Sequence, residues 1–377
     1  MIPCKKCGLG FPRVTERHKQ LFCQHPLTNA AMNGSLELMR YLLDLGSDIN
    51  VSTNLGHTPL MLAASGGFLP VVQELYERGC QVSHIHDATL QRTKTPLQRA
   101  AMYGHLEVVK YLLSKAEDME RAKLINVCFP HAGSSGSLKL VEHLLDHGAD
   151  INARDPTQRY GPDYLGDTAL SNAASGGHSG VVRYLLDRGA DPCLPIGHSD
   201  NFDTALDRAI DRGRDKVVAI LLELDPSKPD MRTKNALRAG NKAVIEVLLT
   251  KHQPRPDGDY NPLALAARRG SPDLIGLFLD QGFDETAGLL QAVKWSNNDA
   301  VELFLGRRTA AGMTKCIPEI VQEAFRSEAQ TIIRALLSYG APIFPKDRAL
   351  YGSPDYNEFA ALANQFPLAT ETDSAPV

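Results

Sequence analysis

Four residues near the start of the chain have the types and spacing of a metal site: Cys4, Cys7, His18 and Cys23. Two residues separate Cys4 from Cys7, and four separate His18 from Cys23. Thiolate sulfur and imidazole nitrogen can close a tetrahedral Zn²⁺ site, and His18 and Cys23 are spaced to share one face of a short helix. His25 is an alternative fourth ligand, although the six residues between it and His18 exceed the usual spacing of about three to five. The pattern predicts one structural zinc ion.

The rest of the chain carries no spacing that is typical of catalysis. It contains no G-x-x-x-x-G-K-[ST] phosphate loop, no G-x-S-x-G nucleophile turn and no H-E-x-x-H helix. The twelve His residues are scattered, and His105 and His178 occupy the same point of a recurring segment, which indicates a structural role. The sequence therefore predicts no enzyme.

That recurring segment is fourteen residues long and reads AAMYGHLEVVKYLL at Ala100–Leu113. We call it the window and number its positions one to fourteen. Position five is Gly in eight of ten copies and becomes Ser296 and Glu328 in the last two. Gly supplies the positive φ needed after a helix, and the apolar positions nine, ten, thirteen and fourteen share one face of the next helix. The copies begin at Ala30, Ala63, Ala100, Ala132, Ala173, Ala209, Ala236, Ala266, Ala292 and Ala324.

Successive windows start 26 to 41 residues apart, and several follow a Thr-Pro-Leu triplet such as Thr58-Pro59-Leu60 or Thr95-Pro96-Leu97. Thr caps a helix there and Pro takes its first turn. With Gly148-Ala149-Asp150 downstream, this pattern resembles the ankyrin repeat over roughly residues 25–342. The resemblance implies an all-α repeat solenoid of about ten helix-turn-helix repeats that share one core.

The predicted domain organisation follows from these two patterns. Residues 1–25 resemble a Cys/His zinc finger, 26–342 form the ankyrin-repeat solenoid, 343–366 form a C-terminal cap and 367–377 form a disordered tail. Residues 1–25 carry five Lys or Arg and one Glu, a charge of +4 that leaves −8 for the remainder. A lone finger seldom binds DNA specifically, so we expect it to cap the open N-terminal end of the solenoid.

Two links depart from the common length. In the fourth repeat, Val127-Cys128-Phe129-Pro130 replaces Thr-Pro-Leu, and Pro130 lies two residues before the window. Because Pro disrupts a helix interior, this predicts a short or displaced first helix. Extra residues between Asn152 and Thr168 predict an enlarged hairpin tip.

Composition limits the class of protein. Hydrophobic residues make up 43% and charged residues 22%, and no apolar run approaches the length of a membrane span. Seven Cys, with four of them scattered singly beyond residue 23, suit a reducing compartment. We therefore expect a soluble protein of the cytoplasm or nucleus that has no membrane partner and no small-molecule substrate.

The resemblance also implies a binding surface at the hairpin tips and at window positions three and four, the last turn of each first helix. These positions are neutral in the first half of the chain and basic in the second. Cations there can also simply complement the helix dipole, and Trp295 can also fold over the joint at Ser296. The predicted partner-binding residues are Met102, Tyr103, Arg212, Arg238, Arg268, Arg269, Lys294, Trp295 and Arg326.

These features together favour a non-enzymatic scaffold or adaptor that binds another protein, one with an acidic surface, on the concave face of the solenoid. One alternative is a nucleic-acid-associated regulator that uses the N-terminal finger. Another is an enzyme with its site in the long insertions. A steep salt dependence of binding would indicate phosphate contacts, and a shallow one a protein partner.

Overall fold

The computed structural model describes residues 2–3, 10–11, 25–80, 94–156, 164–198, 203–224, 229–251, 261–307, 320, 323–324, 326–327 and 330–339. The chain forms two compact units, Met1–Pro226 (unit 1) and Ser227–Val377 (unit 2), and each is described by itself. The predicted zinc ligands Cys4, Cys7, His18 and Cys23 lie outside the described residues. So do the predicted cap at 343–366 and tail at 367–377.

Unit 1 contains helix pairs that follow the predicted windows. Its helices are α1 (Pro26–Met32), α2 (Leu36–Asp44), α3 (Pro59–Gly66), α4 (Leu69–Glu77), α5 (Pro96–Met102), α6 (Leu106–Ser114), α7 (Asp118–Ser135), α8 (Leu138–Asp146), α9 (Ala169–Gly176), α10 (Ser179–Asp187), α11 (Ala205–Asp211) and α12 (Asp215–Leu222). Its short strands are β1 (Ile2–Pro3), β2 (Gly10–Phe11), β3 (Tyr164–Leu165) and β4 (Gly197–His198). The first helix of each pair contacts the first helix of the next, from α1 through to α11.

Unit 2 repeats the same arrangement. Its helices are α13 (Pro229–Ala239), α14 (Lys242–Lys251), α15 (Pro262–Arg269), α16 (Pro272–Asp280), α17 (Glu285–Lys294), α18 (Asn298–Arg307) and α19 (Gln330–Ser338). Here α15 contacts both α13 and α17, and α18 contacts α19. The all-helical repeat fold is confirmed, while the number of ten repeats stays a prediction. None of the described helices is both long and apolar enough to cross a membrane.

The predicted helix starts are confirmed at the Thr-containing triplets. The Thr58 hydroxyl accepts a hydrogen bond from the Met61 amide, and Thr95 and Gln98 form a reciprocal capping box. Thr168 forms the same box with Ser171. Each cap satisfies backbone donors that the first turn leaves unpaired, and its loss typically costs about 1 kcal/mol.

The core lies between stacked repeats and contains apolar residues of the first helices as well as the apolar positions of the second helices. Position ten is completely buried in several of them, as at Met39, Val72 and Val109. Position thirteen is buried too, with Leu112 2% and Leu185 0% exposed. Because second helices pack against the first helix of their own pair and several also pack against the second helix of a neighbouring repeat, stability is shared along the stack.

The first helix of the fourth repeat differs from the prediction. It was expected to be short or displaced, yet α7 spans 18 residues and contains Pro130 in its interior. Pro130 removes one amide donor, but Cys128 and Phe129 are 0% exposed and α7 packs against both α5 and α9. The side-chain amide of Asn172 also donates to the Pro130 carbonyl at 3.0 Å. Burial on two sides therefore offsets the cost of the proline.

The long link before α9 contains part of a small antiparallel sheet. Tyr164 pairs with His198 and Leu165 with Gly197, so β3 joins β4 from the following link. Residues 157–163 of the predicted enlarged tip lie outside the described residues. The side chain of Arg154 strengthens this junction, because it donates to the carbonyls of Gly166 and Pro195.

The turn that follows each first helix, which we call the joint, has the positive φ angle that was expected from Gly. All eight Gly residues at window position five have φ between +65° and +81°. Ser296 takes the same position with φ +54°, and it is the non-Gly residue with positive φ in the described part of the chain. A side chain in this region costs roughly 1–2 kcal/mol, so the joint at Ser296 is strained.

We expect Ser296→Gly to raise the free energy of unfolding by about 1 kcal/mol, because relief of strain exceeds the extra unfolded-state entropy of Gly. Urea denaturation of both proteins measures the difference. Ser271→Gly is the matched control, since Ser271 has φ −96° and gains nothing from Gly. Equal or lower stability of Ser296→Gly would show that the joint is unstrained.

Candidate partner-binding surface

The predicted surface residues lie where a first helix ends, as the window register requires, except that Arg326 belongs to no helix with described bounds. Met102 is half-buried, and the other eight are exposed. Met102, Tyr103 and Arg212 belong to unit 1, whereas Arg238, Arg268, Arg269, Lys294, Trp295 and Arg326 belong to unit 2.

Arg268 and Trp295 form a stacked pair in unit 2. The guanidinium carbon of Arg268 lies 4.0 Å from the indole ring centroid, although the two residues belong to successive repeats. Trp295 remains 48% exposed and immediately follows α17. A cation over an exposed indole face stabilises by about 0.5–1 kcal/mol and restricts both side chains. The pair thus presents a flat apolar surface beside a positive charge.

The backbone under this pair is held by Asn297. Its side-chain amide donates to the carbonyls of Ala267 at 3.0 Å and Arg268 at 2.6 Å. Ser296, the strained residue of the joint, lies between Asn297 and Trp295. Strained backbone that its surroundings hold in place is common at binding sites. The position of the Arg268–Trp295 stack is therefore fixed from both repeats.

The cations of unit 2 divide into two groups. Arg269 donates to the Leu237 carbonyl at 2.9 Å and so links α15 to α13, and Arg326 pairs with Glu323 at 3.1 Å. Arg238 and Lys294 make no ion pair with any described residue, and Arg268 has only the indole. Arg269 is thus a structural residue as well as an exposed cation, which the sequence did not indicate.

Arg212 of unit 1 lines a polar cleft of about 350 Å³ between α9, α11 and β3. Arg208 lies in its wall, 3.6 Å from Asp167 and 3.7 Å from Asp203, and it donates to the Tyr164 hydroxyl. Burial, reinforced by Asp167, raises the pKa of Tyr164 to about 12, so the phenol stays protonated. Sequence reasoning missed Arg208 and Tyr164. The sequence signal that could have identified Arg208 was its position immediately before the window that begins at Ala209. The lining residues are Tyr164, Asp167, Ser171, Asn172, Ser175, Arg208 and Arg212.

Window position six links successive repeats. The Nε2 atom of His105 lies 2.9 Å from the Ser65 carbonyl, and that of His178 lies 3.0 Å from the Ser134 carbonyl. Arg214 makes the same contact with the Ser175 carbonyl at 3.0 Å. These contacts satisfy carbonyls that a helix end leaves unpaired. The structure thus agrees with a structural role for both His residues.

Two titratable side chains in the interior, His131 and Cys128, are shielded from solvent and uncharged at neutral pH. His131 is 1% exposed, with Lys94 Nζ 2.9 Å from its Nδ1 and Asp155 3.4 Å from its Nε2. Burial, and then Lys94, lowers the pKa of His131 to about 4, so it is neutral at pH 7. Burial also raises the pKa of Cys128 to about 12, which keeps it a thiol. Among the described residues no three His, Cys, Asp or Glu are grouped to hold a metal.

Comparisons with known proteins agree with this geometry. The sequence profile of the family described as "Ankyrin repeats (3 copies)" matches residues 27–123, 84–155 and 129–235, which together cover more than half of the chain. "Ankyrin repeat and KH domain-containing protein mask-1" of Caenorhabditis elegans is 29% identical over 244 residues, 64% of this chain and 8% of the relative. "L-asparaginase" of Dirofilaria immitis is 30% identical over 174 residues, 46% of this chain and 27% of the relative.

The chain spans less than a third of the length of either relative. Among solved structures, the human ASB11 ankyrin repeat domain aligns with a TM-score of 0.44 and 24% identity, covering 62% of this chain and all of that domain. The helix pairs, the joints with positive φ and the extent of the profile match lead to one conclusion. This chain belongs to the ankyrin-repeat family.

Proposed function

We propose that this protein is a non-enzymatic scaffold or adaptor that binds an acidic segment of another protein on the first-helix ends of unit 2. The ankyrin-repeat fold is typically non-enzymatic, and ankyrin-repeat proteins generally mediate protein interactions. The observation that carries the proposal is the Arg268–Trp295 stack, together with Arg238 and Lys294 in the last turns of α13 and α17, which have no carboxylate partners among the described residues.

The local charge supports an acidic partner. The sequence of α15 contains no Asp or Glu, and the one acidic residue of α17, Glu285, lies in its first turn. The helix dipole favours cations at these ends, and unit 1 also carries last-turn cations, Arg99 in α5 and Arg208 in α11. In unit 2, Arg238, Arg268 and Lys294 have no carboxylate partner among the described residues, and a complementary acidic surface would supply one.

The stack has the properties of an energetic anchor. Trp and Arg are enriched among residues whose loss costs an interface at least about 2 kcal/mol. Because the indole and the guanidinium already restrict each other, binding loses less side-chain entropy than it would with free side chains. Arg269 and Arg326 are expected to contribute less, since each already has a partner within the protein.

The test is affinity capture from cell extract with the intact protein, followed by titration of the captured partner against variants. We expect Trp295→Ala and Arg268→Glu each to weaken binding about 30-fold, while the thermal midpoint changes little. Arg183→Glu on α10 of unit 1 is the control, because it reverses an exposed Arg away from the stack. Equal binding by all three variants would place the interface elsewhere.

A nucleic-acid-associated regulator is the second candidate, favoured by the same cations and the exposed indole, on which a base could stack. Titration with single-stranded DNA at several salt concentrations separates the two. Each phosphate neutralised adds about 0.7 to the slope of log affinity against log salt for single strands. A steep slope that is reduced in Arg268→Glu would support nucleic acid over an acidic protein.

We further propose a cytoplasmic or nuclear location. Cys80 and Cys128 are free thiols, which suits a reducing compartment. Imaging of the tagged full-length protein tests this placement.

A further inference from the structure

Arg99 of the third repeat carries a positive charge that no described residue balances. It lies in α5, one residue before the window that begins at Ala100, and it is half-buried. Its Nε donates to the Lys94 carbonyl at 3.3 Å, and its Nη1 lies 3.5 Å from the Ser65 hydroxyl oxygen. It makes no ion pair with any Asp or Glu in the described part of the chain, and burial lowers the pKa of its guanidinium. Because charges taken out of water are normally paired, this arginine lacks a partner that such a position requires.

Arg208 of the sixth repeat occupies the equivalent position, one residue before its window, and it has the partners that Arg99 lacks. Its guanidinium lies 3.6 Å from Asp167 and 3.7 Å from Asp203. Asp203 immediately precedes the first-helix cap of the same repeat, and Asp167 precedes the cap of the repeat before it. Burial acts to lower the pKa of Arg208, but Asp167, Tyr164 and Asp203 raise it overall. An arginine at this position is therefore balanced by two carboxylates, one from each of two successive repeats.

At Arg99 the residues that correspond to these two carboxylates are Lys94 and His57. They immediately precede the first-helix caps of the third and second repeats. Lys94 Nζ lies 2.9 Å from Nδ1 of His131 in the next repeat, and Lys94 offers Arg99 only its backbone carbonyl. Burial, and then the charge of Arg99, lowers the pKa of His57, whose buried Nδ1 has no hydrogen-bond partner among the described residues. An amine and an imidazole thus take the two positions from which carboxylates balance Arg208.

The end of α5 leaves this position open to a second molecule. Tyr103 follows Arg99 by four residues, so the two share one face of the helix end. Tyr103 is 55% exposed, and its ring centroid lies 6.4 Å from that of His105. A peptide segment that reaches Arg99 therefore meets an exposed aromatic ring beside the guanidinium, and Tyr and Arg are both common anchors of protein interfaces.

We propose that Arg99 binds the carboxylate of an Asp or Glu side chain from a protein partner, with Tyr103 contacting the same segment. The partner's carboxylate would take the role that Asp167 and Asp203 have at Arg208. Guanidinium and carboxylate groups match in shape and form charge-assisted hydrogen bonds, frequently two in parallel. This site lies in unit 1 and does not depend on the proposed surface in unit 2.

The first test titrates the full-length protein with an acetylated, amidated peptide of four glutamates and follows the Tyr103 amide and the His57 ring by NMR. We expect both signals to shift and saturate in the wild type. In Arg99→Gln the half-saturating concentration should rise about tenfold or more, because a charge-assisted hydrogen bond is lost. Arg183→Gln, which removes an exposed arginine of α10, is the control and should leave the titration unchanged. The indole N–H of Trp295 reports separately on any binding of the peptide in unit 2.

The second test supplies the missing carboxylate from within the chain. His57→Asp places an acid where Asp167 lies relative to Arg208, so we expect the thermal midpoint to rise and the Tyr103 amide to stop responding to the peptide. His57→Asn is the matched control, because it has nearly the same size without the charge and should still respond. This comparison decides the proposal even where Arg99→Gln weakens the fold.

The opposite results overturn the proposal. A folded wild type whose Tyr103 and His57 signals ignore the peptide has no carboxylate site at Arg99. An unchanged titration in Arg99→Gln, or an equal response of His57→Asp and His57→Asn, would mean that the peptide binds through another cation. A stronger response to inorganic phosphate than to the peptide at the same ionic strength would make the ligand a phosphoryl group and refute the carboxylate.

Discussion

Leu185→Ala is expected to lower the free energy of unfolding by about 2–5 kcal/mol, which is the usual range when a buried leucine is replaced by alanine. Leu185 is 0% exposed and occupies position thirteen of α10. The change removes apolar contacts between α10 and its neighbour α8 and leaves a cavity that rigid helices fill poorly. Denaturant unfolding followed by circular dichroism measures the loss.

Leu138→Ala is the matched control for this experiment. Leu138 is 39% exposed at the start of α8, so the same deletion removes little buried surface and should cost about 1 kcal/mol or less. A neutral Leu185→Ala would mean that the repeat register is displaced. A loss of similar size in both variants would mean that exposure does not distinguish the two sites.

Gly133→Ala is expected to destabilise the protein by about 3 kcal/mol, because α7 and α9 approach closely there. A methyl group on Gly133 would lie 2.1 Å from the carbonyl oxygen of Ala169, which is backbone and cannot rotate away. The helices would have to separate and lose contacts along their length. Urea denaturation gives the free energy, and Asn172, whose amide donates to Pro130 of α7, provides a local probe by NMR.

Gly180→Ala in α10 is the control, since a methyl group there meets nothing within 4 Å. Ala favours a helix over Gly by roughly 0.8–1 kcal/mol, so this variant should be more stable than the wild type. Opposite signs for the same substitution would establish that the close approach at Gly133 causes the loss. An increase in stability at Gly133 would show that α7 and α9 are further apart than described.

Much of the fold could be predicted because its signals are local. Thr58, Thr95 and Thr168 cap helices through hydrogen bonds to residues three positions away, and position-five Gly acts on its own φ angle. The prediction at Pro130 was wrong because the local cost of a proline was weighed without the burial of α7 between two other helices.

The candidate surface could be predicted only in part. Window positions three and four correctly identified side chains at the exposed ends of first helices, because helical periodicity determines which residues lie there. The periodicity did not reveal that Arg269 bonds to Leu237, 32 residues earlier, or that Arg208 meets Tyr164 across 44 residues. Such contacts depend on how one repeat is placed against another.

The sequence by itself determined the repeat register, the helix starts and the turns, since each depends on residues within about one helical turn. Only the tertiary structure decided which cations lack an ion-pair partner among the described residues and where the indole of Trp295 lies. The stack of Arg268 on Trp295 requires two repeats to meet, with Asn297 holding the carbonyls of Ala267 and Arg268 across the joint. Interactions between repeats depend on how neighbouring repeats pack, and the sequence of a single repeat does not determine that packing.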